Sequence, residues 1–129
     1  MKLQSCGLTV LRVVVGIVFL MHGYQKLFHM HIHGVAGFFG HLGIPLPQVA
    51  AVIVTLLEFG GGILLIAGVG VRVLAPLFAI DMLVAILTVH WRNGFLGPGG
   101  VEFPLTLLAS AVCLTLSGGG ALSLKLKGL

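Results

Sequence analysis

Four apolar runs follow one another along the chain, at residues 8–28, 48–69, 71–92 and 102–119. A helix needs about 20 predominantly apolar residues to cross the hydrocarbon core of a bilayer. Residues that end helices separate the runs: prolines 45 and 47, the Gly-Val-Gly turn 68–70, and the glycine-rich stretch 93–101. The pattern predicts an all-α integral membrane four-helix bundle that forms a single domain over residues 1–129.

The composition supports a membrane protein. The 129 residues are 58% hydrophobic and only 8% charged, and the mean hydropathy is +1.19. Soluble domains typically carry about 25% charged residues. The formal charge of +4 does not indicate a nucleic-acid partner, because the few basic residues mostly flank the apolar runs. The lipid bilayer is the partner that the composition predicts.

The distribution of basic residues predicts an orientation. Four spans place both termini on the same side of the membrane. Basic residues are more numerous at the end of the bundle that carries the termini, with Lys2, Arg72, Lys125 and Lys127 there against Lys26 and Arg92 at the other end. Because cytoplasmic loops carry the excess of Lys and Arg, we expect a plasma (inner) membrane protein with both termini in the cytoplasm.

The first outer loop contains a helical pattern of its own. Apolar residues recur at i, i+3, i+4 and i+7, and small or polar residues take the other side; the apolar set is Val35, Phe38, Phe39 and Leu42. This spacing predicts a short interfacial helix lying over the outer mouth of the bundle. Two interpretations remain open, a lid over a site and a plain surface anchor.

Five ionisable residues lie within or at the edges of the apolar runs: Arg12, Glu58, Arg72, Asp81 and Glu102. They include all three acids of the chain. A charge at membrane depth costs roughly 2.5–3.5 kcal/mol, so it persists only when it is paired or faces a polar cavity. At about 1.5 Å per residue, Glu58 and Asp81 both lie near the midplane. These residues are therefore candidates for a functional site.

The predicted depths divide the polar residues into two groups. The mid-to-inner group comprises Arg12, Glu58, Arg72 and Asp81. An acid at this depth would pair with one of the two arginines or carry a proton. The group is interpreted either as an ion-pair network that holds the helices together or as a polar pocket and proton path.

The second predicted group lies near the outer mouth and comprises His22, Lys26, His90, Arg92 and Glu102. Three interpretations of the two histidines remain open. They are interfacial polar residues, hydrogen-bonding partners of a ligand headgroup, or axial ligands of a haem.

Four further histidines cluster in the first outer loop, at His29, His31, His33 and His41. The i, i+4 spacing of the first and third can bind a metal ion on a helix. No cysteine or carboxylate lies nearby in the sequence to complete a site, so we predict no metal ion and interpret the cluster as interfacial.

The order of these residues resembles a known family. The segments that carry the resemblance are Arg12 with Gly16 and Phe19, the run His22 to Leu27, Gly43-Ile44-Pro45, Glu58 with Gly61-Gly62, Gly68 with Arg72, Asn93-Gly94-Phe95, Gly99 to Glu102, and Gly118 to Leu124. In this order and spacing they resemble the DoxX family of small four-helix membrane proteins. Gly119 stands where the family pattern has a proline, and Ala121 and Lys125 replace a basic residue and an aspartate. These departures affect only the tail.

The resemblance implies a quinone-linked oxidoreductase or the membrane subunit of a redox complex. On this hypothesis Glu58, Asp81 and Glu102 carry protons and Arg12 and Arg72 tune them.

The same hypothesis makes His22, Lys26 and His90 hydrogen-bond donors to the quinone. The sequence contains no Cys-x-x-Cys and no nucleotide fingerprint. The electrons would therefore come from a soluble redox partner protein. The alternatives are a membrane scaffold for such a partner and a small proton-coupled transporter, and a homo-oligomer is compatible with each of them.

Overall fold

The computed structural model describes residues 2–123 and contains five α-helices: α1 (Leu3–Tyr24), α2 (His31–His41), α3 (Pro47–Ala67), α4 (Val71–Ala85) and α5 (Glu102–Ser117). Two π-helical segments extend helices, Gln25–Met30 after α1 and Ile86–His90 after α4, and a 3₁₀ turn, Trp91–Asn93, follows the second. The last residue of the closing family segment and the two tail lysines, Lys125 and Lys127, lie outside the described residues.

The chain bends sharply between α1 and α2. The continuous apolar helical stretch from Leu3 to His41 has 39 residues. At 1.5 Å per residue it would measure about 58 Å, roughly twice the hydrocarbon thickness. The bend lies at His31, whose φ of 62° is rare for a residue other than glycine. α2 then packs on α3, where Val35 and Ala36 are buried together with Ala51. The helix predicted in the first outer loop is therefore present.

Glycines allow α1 and α3 to approach closely along an antiparallel seam. A Cβ added at Gly23 would lie 2.6 Å from the Cα of Phe59, and one added at Gly62 would lie 2.6 Å from the amide nitrogen of Leu20. Both neighbours are backbone atoms, so no side chain larger than hydrogen fits at either position. Small residues of this kind permit tight helix packing in lipid, where no hydrophobic effect draws helices together.

The remaining helices complete the bundle around one apolar core. α3 ends at Gly68, whose φ of +80° permits the tight turn into α4. The rings of Phe19 on α1 and Phe78 on α4 stack with centroids 4.0 Å apart. α5 packs against α4 and contributes Leu107 and Leu114 to the same core.

The outer surface of the bundle is apolar, as expected of a protein that contacts lipid. Ile53, Leu56, Ile80 and Leu87 all point outward. Three helical stretches of the described chain are long and apolar enough to span a membrane. α5, with 16 residues, is shorter, at about 24 Å, and ends two residues before the limit expected from the sequence. The protein is an all-α membrane bundle.

Candidate functional site

A cavity of about 290 Å³ lies inside the bundle, at the end opposite the N-terminus. Most of its wall is apolar, and its aromatic residues are Phe19, Phe38, Phe39 and Phe103. Five ionisable side chains and Thr88 also line it; the ionisable ones are His22, Lys26, Glu58, Asp81 and His90. A concave apolar pocket with a few convergent polar groups is typical of small-molecule sites.

A salt bridge between α3 and the segment that follows α1 forms the polar centre of the cavity. The Nζ atom of Lys26 donates a hydrogen bond to Oε1 of Glu58 at 2.7 Å. The Glu58 side chain is only 3% exposed and that of Lys26 is 20% exposed. Charged groups taken out of water need partners, and this salt bridge provides one for each residue. The close α1–α3 packing at Gly23 brings the two together.

Asp81 adds a second carboxyl group to this centre. It lies on α4 and faces Glu58. Its Oδ2 atom is buried, and no group of the described chain donates a hydrogen bond to it. The centre thus has one ammonium group for two carboxyl groups. The second carboxyl group therefore needs either its own proton or a hydrogen-bond donor from a ligand.

The two histidines predicted as ligand partners both line the cavity. His22 stacks on Phe103, with ring centroids 5.8 Å apart. Nδ1 of His90 lies 2.7 Å from the carbonyl oxygen of Gly99. A carbonyl can only accept, so Nδ1 carries the proton and Nε2 is the free acceptor of the neutral ring. The loop before α5 therefore orients His90.

Both π-helical segments border the cavity. Gln25–Met30 carries Lys26, and Ile86–His90 carries His90. A π turn shifts the residues after it around the helix axis, and such turns are often found at functional sites. Local backbone geometry thus helps to aim two of the polar side chains.

The structure corrects the grouping of charges expected from the sequence. Arg12 is 1% exposed and donates hydrogen bonds to the carbonyl oxygens of Gly119 at 2.6 Å and Leu122 at 3.1 Å. It also donates to the hydroxyl of Ser123. Arg72 lies exposed near the same end. Glu58 therefore pairs with neither arginine; its partner is Lys26, from the predicted outer group.

Glu102, the third predicted acid, lies outside the cavity wall. Its Oε1 atom accepts a hydrogen bond from the backbone amide of Gly97 at 3.2 Å. The residue that follows it, Phe103, does line the cavity. The structure thus brings together Glu58 and Asp81 but separates Glu102 from them.

α2 forms part of the cavity wall. Phe38, Phe39 and Leu42, three of the four apolar residues expected on one face, line it, and the fourth, Val35, is buried against α3. α2 therefore both packs on α3 and contributes to the cavity wall, and its role as a lid stays a prediction. The aromatic wall was not identified as part of the site from the sequence, although the apolar spacing in the loop pointed to it.

The four histidines of the first outer loop lie around the bend at His31. The bend at His31 interrupts the helix that would bring His29 and His33 together. Among residues 2–123, no group of three or more His, Cys, Asp or Glu side chains could hold a metal ion.

Comparison with known proteins places this architecture in a family. The DoxX family profile matches residues 7–91. The chain belongs to the DoxX family. It is 36% identical to the Bacillus subtilis protein named "Putative oxidoreductase CatD" over 123 residues, which is 95% of this chain and 87% of that protein. This DoxX protein is also 29% identical to the Escherichia coli protein named "Inner membrane protein YphA", over 91% of this chain and 86% of YphA.

A Mycobacterium tuberculosis protein named "Uncharacterized membrane protein Rv3486" is 34% identical to this DoxX protein over 125 residues, 88% of this chain and 76% of the relative. No solved structure matches the chain.

Proposed function

We propose that the cavity of this DoxX protein binds the headgroup of a quinone and that the protein is the membrane subunit of a quinone-linked oxidoreductase. The observation that carries the proposal is the combination of an aromatic cavity with the Lys26–Glu58–Asp81 centre on its wall. The name of the Bacillus relative, which describes an oxidoreductase, supports this class of activity.

The polar groups suit the two states of such a ligand. A quinone has two carbonyl oxygens that accept hydrogen bonds. Lys26 has three N–H donors, of which one reaches Glu58, so two are available to a ligand. His22 is a second donor on the wall. The aromatic side chains are suited to packing against the flat ring.

Reduction of the bound quinone to a quinol consumes two electrons and two protons, and each carbonyl oxygen becomes a hydroxyl group. Asp81 is placed to supply one proton and the ammonium group of Lys26 the other, and the carboxylate groups of Asp81 and Glu58 then accept hydrogen bonds from the hydroxyl groups formed. The electrons come from a reduced partner protein, because the sequence has no redox-active Cys-x-x-Cys or nucleotide motif of its own.

The proposal includes a location. The protein lies in the plasma membrane with both termini in the cytoplasm, since Lys2 and Arg72 mark the end of the bundle that carries the N-terminus. The quinone cavity then lies toward the outer leaflet. The name of the Escherichia coli relative supports an inner-membrane location.

Binding of decylubiquinone to the purified full chain in a maltoside detergent tests the proposal. We expect saturable binding that weakens about 10- to 100-fold in Lys26→Met, the range for one lost hydrogen bond to a charged group. Lys26→Arg, which keeps the charge and the donors, should retain most of the affinity. Arg92→Gln serves as the matched control, because Arg92 is exposed and does not line the cavity.

Two results would overturn the proposal. One is an amount of bound quinone that rises linearly with quinone concentration and never saturates. The other is equal affinity in Lys26→Met, Lys26→Arg and the control. Either would favour the scaffold alternative, in which the buried charges only hold the helices together.

A further inference from the structure

A second cavity lies at the end of the bundle that carries the N-terminus, far from the quinone site. It has a volume of about 350 Å³. The start of α1, the turn between α3 and α4, and the residues after α5 form its wall. The polar side chains of its wall are Lys2, Gln4, Ser5, Arg72, Ser117 and Ser123. The hydroxyl of Ser123 already donates a hydrogen bond to the carbonyl oxygen of Gly120.

The two basic side chains have no counterion within the described chain. Neither the side chain of Lys2 nor that of Arg72 forms a salt bridge or a hydrogen bond with another residue between 2 and 123. Glu58 is paired with Lys26, Asp81 faces Glu58, and Glu102 lies at the other end, next to Gly97. The cavity therefore carries two positive charges and no side-chain carboxylate.

The backbone adds further donors. α1 and α4 both begin at this cavity, and neither has a side-chain cap. The first N–H groups of a helix have no partner inside the helix, and the helix dipole places partial positive charge there. The guanidinium of Arg72 lies over Gly118, where an added Cβ would be 3.3 Å from Nε. The absence of a side chain at this glycine leaves the guanidinium room on that side.

We propose that this cavity binds a phosphate group, namely the phosphate of an anionic phospholipid headgroup. A guanidinium group binds a phosphate group through two parallel N–H···O hydrogen bonds, and hydroxyl groups complete such sites. A lipid is the source we favour because the helices that border the cavity carry exposed apolar residues near their ends; these are Leu3, Val73 and Leu116. They would contact the acyl chains while the cations hold the headgroup.

The test uses the purified full chain in maltoside detergent with dioctanoyl phosphatidylglycerol as the probe. Dioctanoyl phosphatidylcholine, with no net charge, and inorganic phosphate are the comparison ligands, and thermal unfolding at increasing ligand concentration gives the affinity. We expect phosphatidylglycerol to bind the Lys2→Gln, Arg72→Gln double variant about 30-fold more weakly than the unaltered chain, from the contribution of each basic residue to lipid binding. Arg92→Gln, with its charge removed at the opposite end, should bind as the unaltered chain does.

Two further measurements keep the proposal falsifiable if the double variant fails to fold. Arg72→Lys should fold and bind phosphatidylglycerol several-fold more weakly, because an ammonium group cannot form the two parallel hydrogen bonds that a guanidinium group forms with phosphate. Phosphatidylglycerol binding to the unaltered chain should also weaken as salt is raised from about 0.1 to 1 M, since the screening length falls from about 10 to 3 Å. Equal affinity for the two lipids, or no effect of Arg72→Lys and of salt, would overturn the proposal. Inorganic phosphate that binds as tightly as phosphatidylglycerol would overturn the lipid assignment.

Discussion

Gly23→Ala tests whether close helix packing holds the polar site together. The Cβ of the alanine would lie 2.2 Å from the amide nitrogen of Phe59, whereas ordinary van der Waals contact begins at 3.4 Å. The neighbouring atom belongs to the backbone of α3, so α1 and α3 would have to separate by about 1.2 Å, the difference between these distances. Overpacking of this kind costs about 1–3 kcal/mol.

The same shift acts on the salt bridge, because Gly23 lies one helical turn before Lys26. Adding about 1.2 Å to the 2.7 Å between Nζ of Lys26 and Oε1 of Glu58 gives about 3.9 Å, beyond the limit of a hydrogen bond. We therefore expect Gly23→Ala both to destabilise the bundle and to free the Lys26 amine.

Two assays follow these effects separately. Thermal unfolding in detergent, monitored by circular dichroism, measures stability. Labelling by an amine-reactive reagent, located by mass spectrometry, measures the accessibility of Lys26, and it should rise in Gly23→Ala. Gly60→Ala is the matched control on α3, because an added Cβ there meets nothing within 4 Å. It should leave labelling unchanged and make the protein equally or slightly more stable. Equal stability and labelling in the two variants would refute the reasoning.

Two other substitutions probe the backbone of the fold. Arg12→Lys should lower the free energy of unfolding by about 3 kcal/mol and speed amide hydrogen exchange in residues 118–123, because a lysine cannot reach all the carbonyl oxygens that Arg12 binds. Arg92→Lys, at an exposed position, should change neither quantity. Unchanged exchange in Arg12→Lys would contradict this role of Arg12. His31→Gly should stabilise the protein by about 1 kcal/mol, because glycine adopts the φ of 62° without strain. His29→Gly should destabilise it by a similar amount. Thermal unfolding measures both effects, and a less stable His31→Gly would contradict the bend at this residue.

Several elements of the fold followed from the chain alone. The long apolar runs predicted the membrane helices, because no other structure satisfies backbone groups in lipid over such lengths. The 3–4 residue spacing of Val35, Phe38 and Phe39 predicted α2. The glycines at 68 and 70 predicted the tight turn between α3 and α4. Local pattern was sufficient in each case, since the feature depends on residues close in sequence.

The start of α1 and the bend that follows it were predicted less well. α1 begins at Leu3, five residues before the apolar run itself, because polar residues such as Gln4 continue a helix outside the hydrocarbon core. The 3–41 stretch gave no local signal of the bend at His31, since histidine is not a residue that favours positive φ as glycine does.

The partner of Glu58 shows where sequence reasoning stopped. Arg12 lies on α1, and Lys26 lies 14 residues further along the chain, in the π-helical segment that follows α1. The sequence suggested only Arg12 and Arg72 as partners of the midplane acids and placed Lys26 in the outer group. Only tertiary packing decided the height at which α3 crosses α1. Because Gly23 has no side chain, the backbone of α3 at Glu58 and Phe59 can approach α1 closely there. The sequence by itself determined the membrane bundle and its buried polar residues; the helix crossing decided which of them form the site.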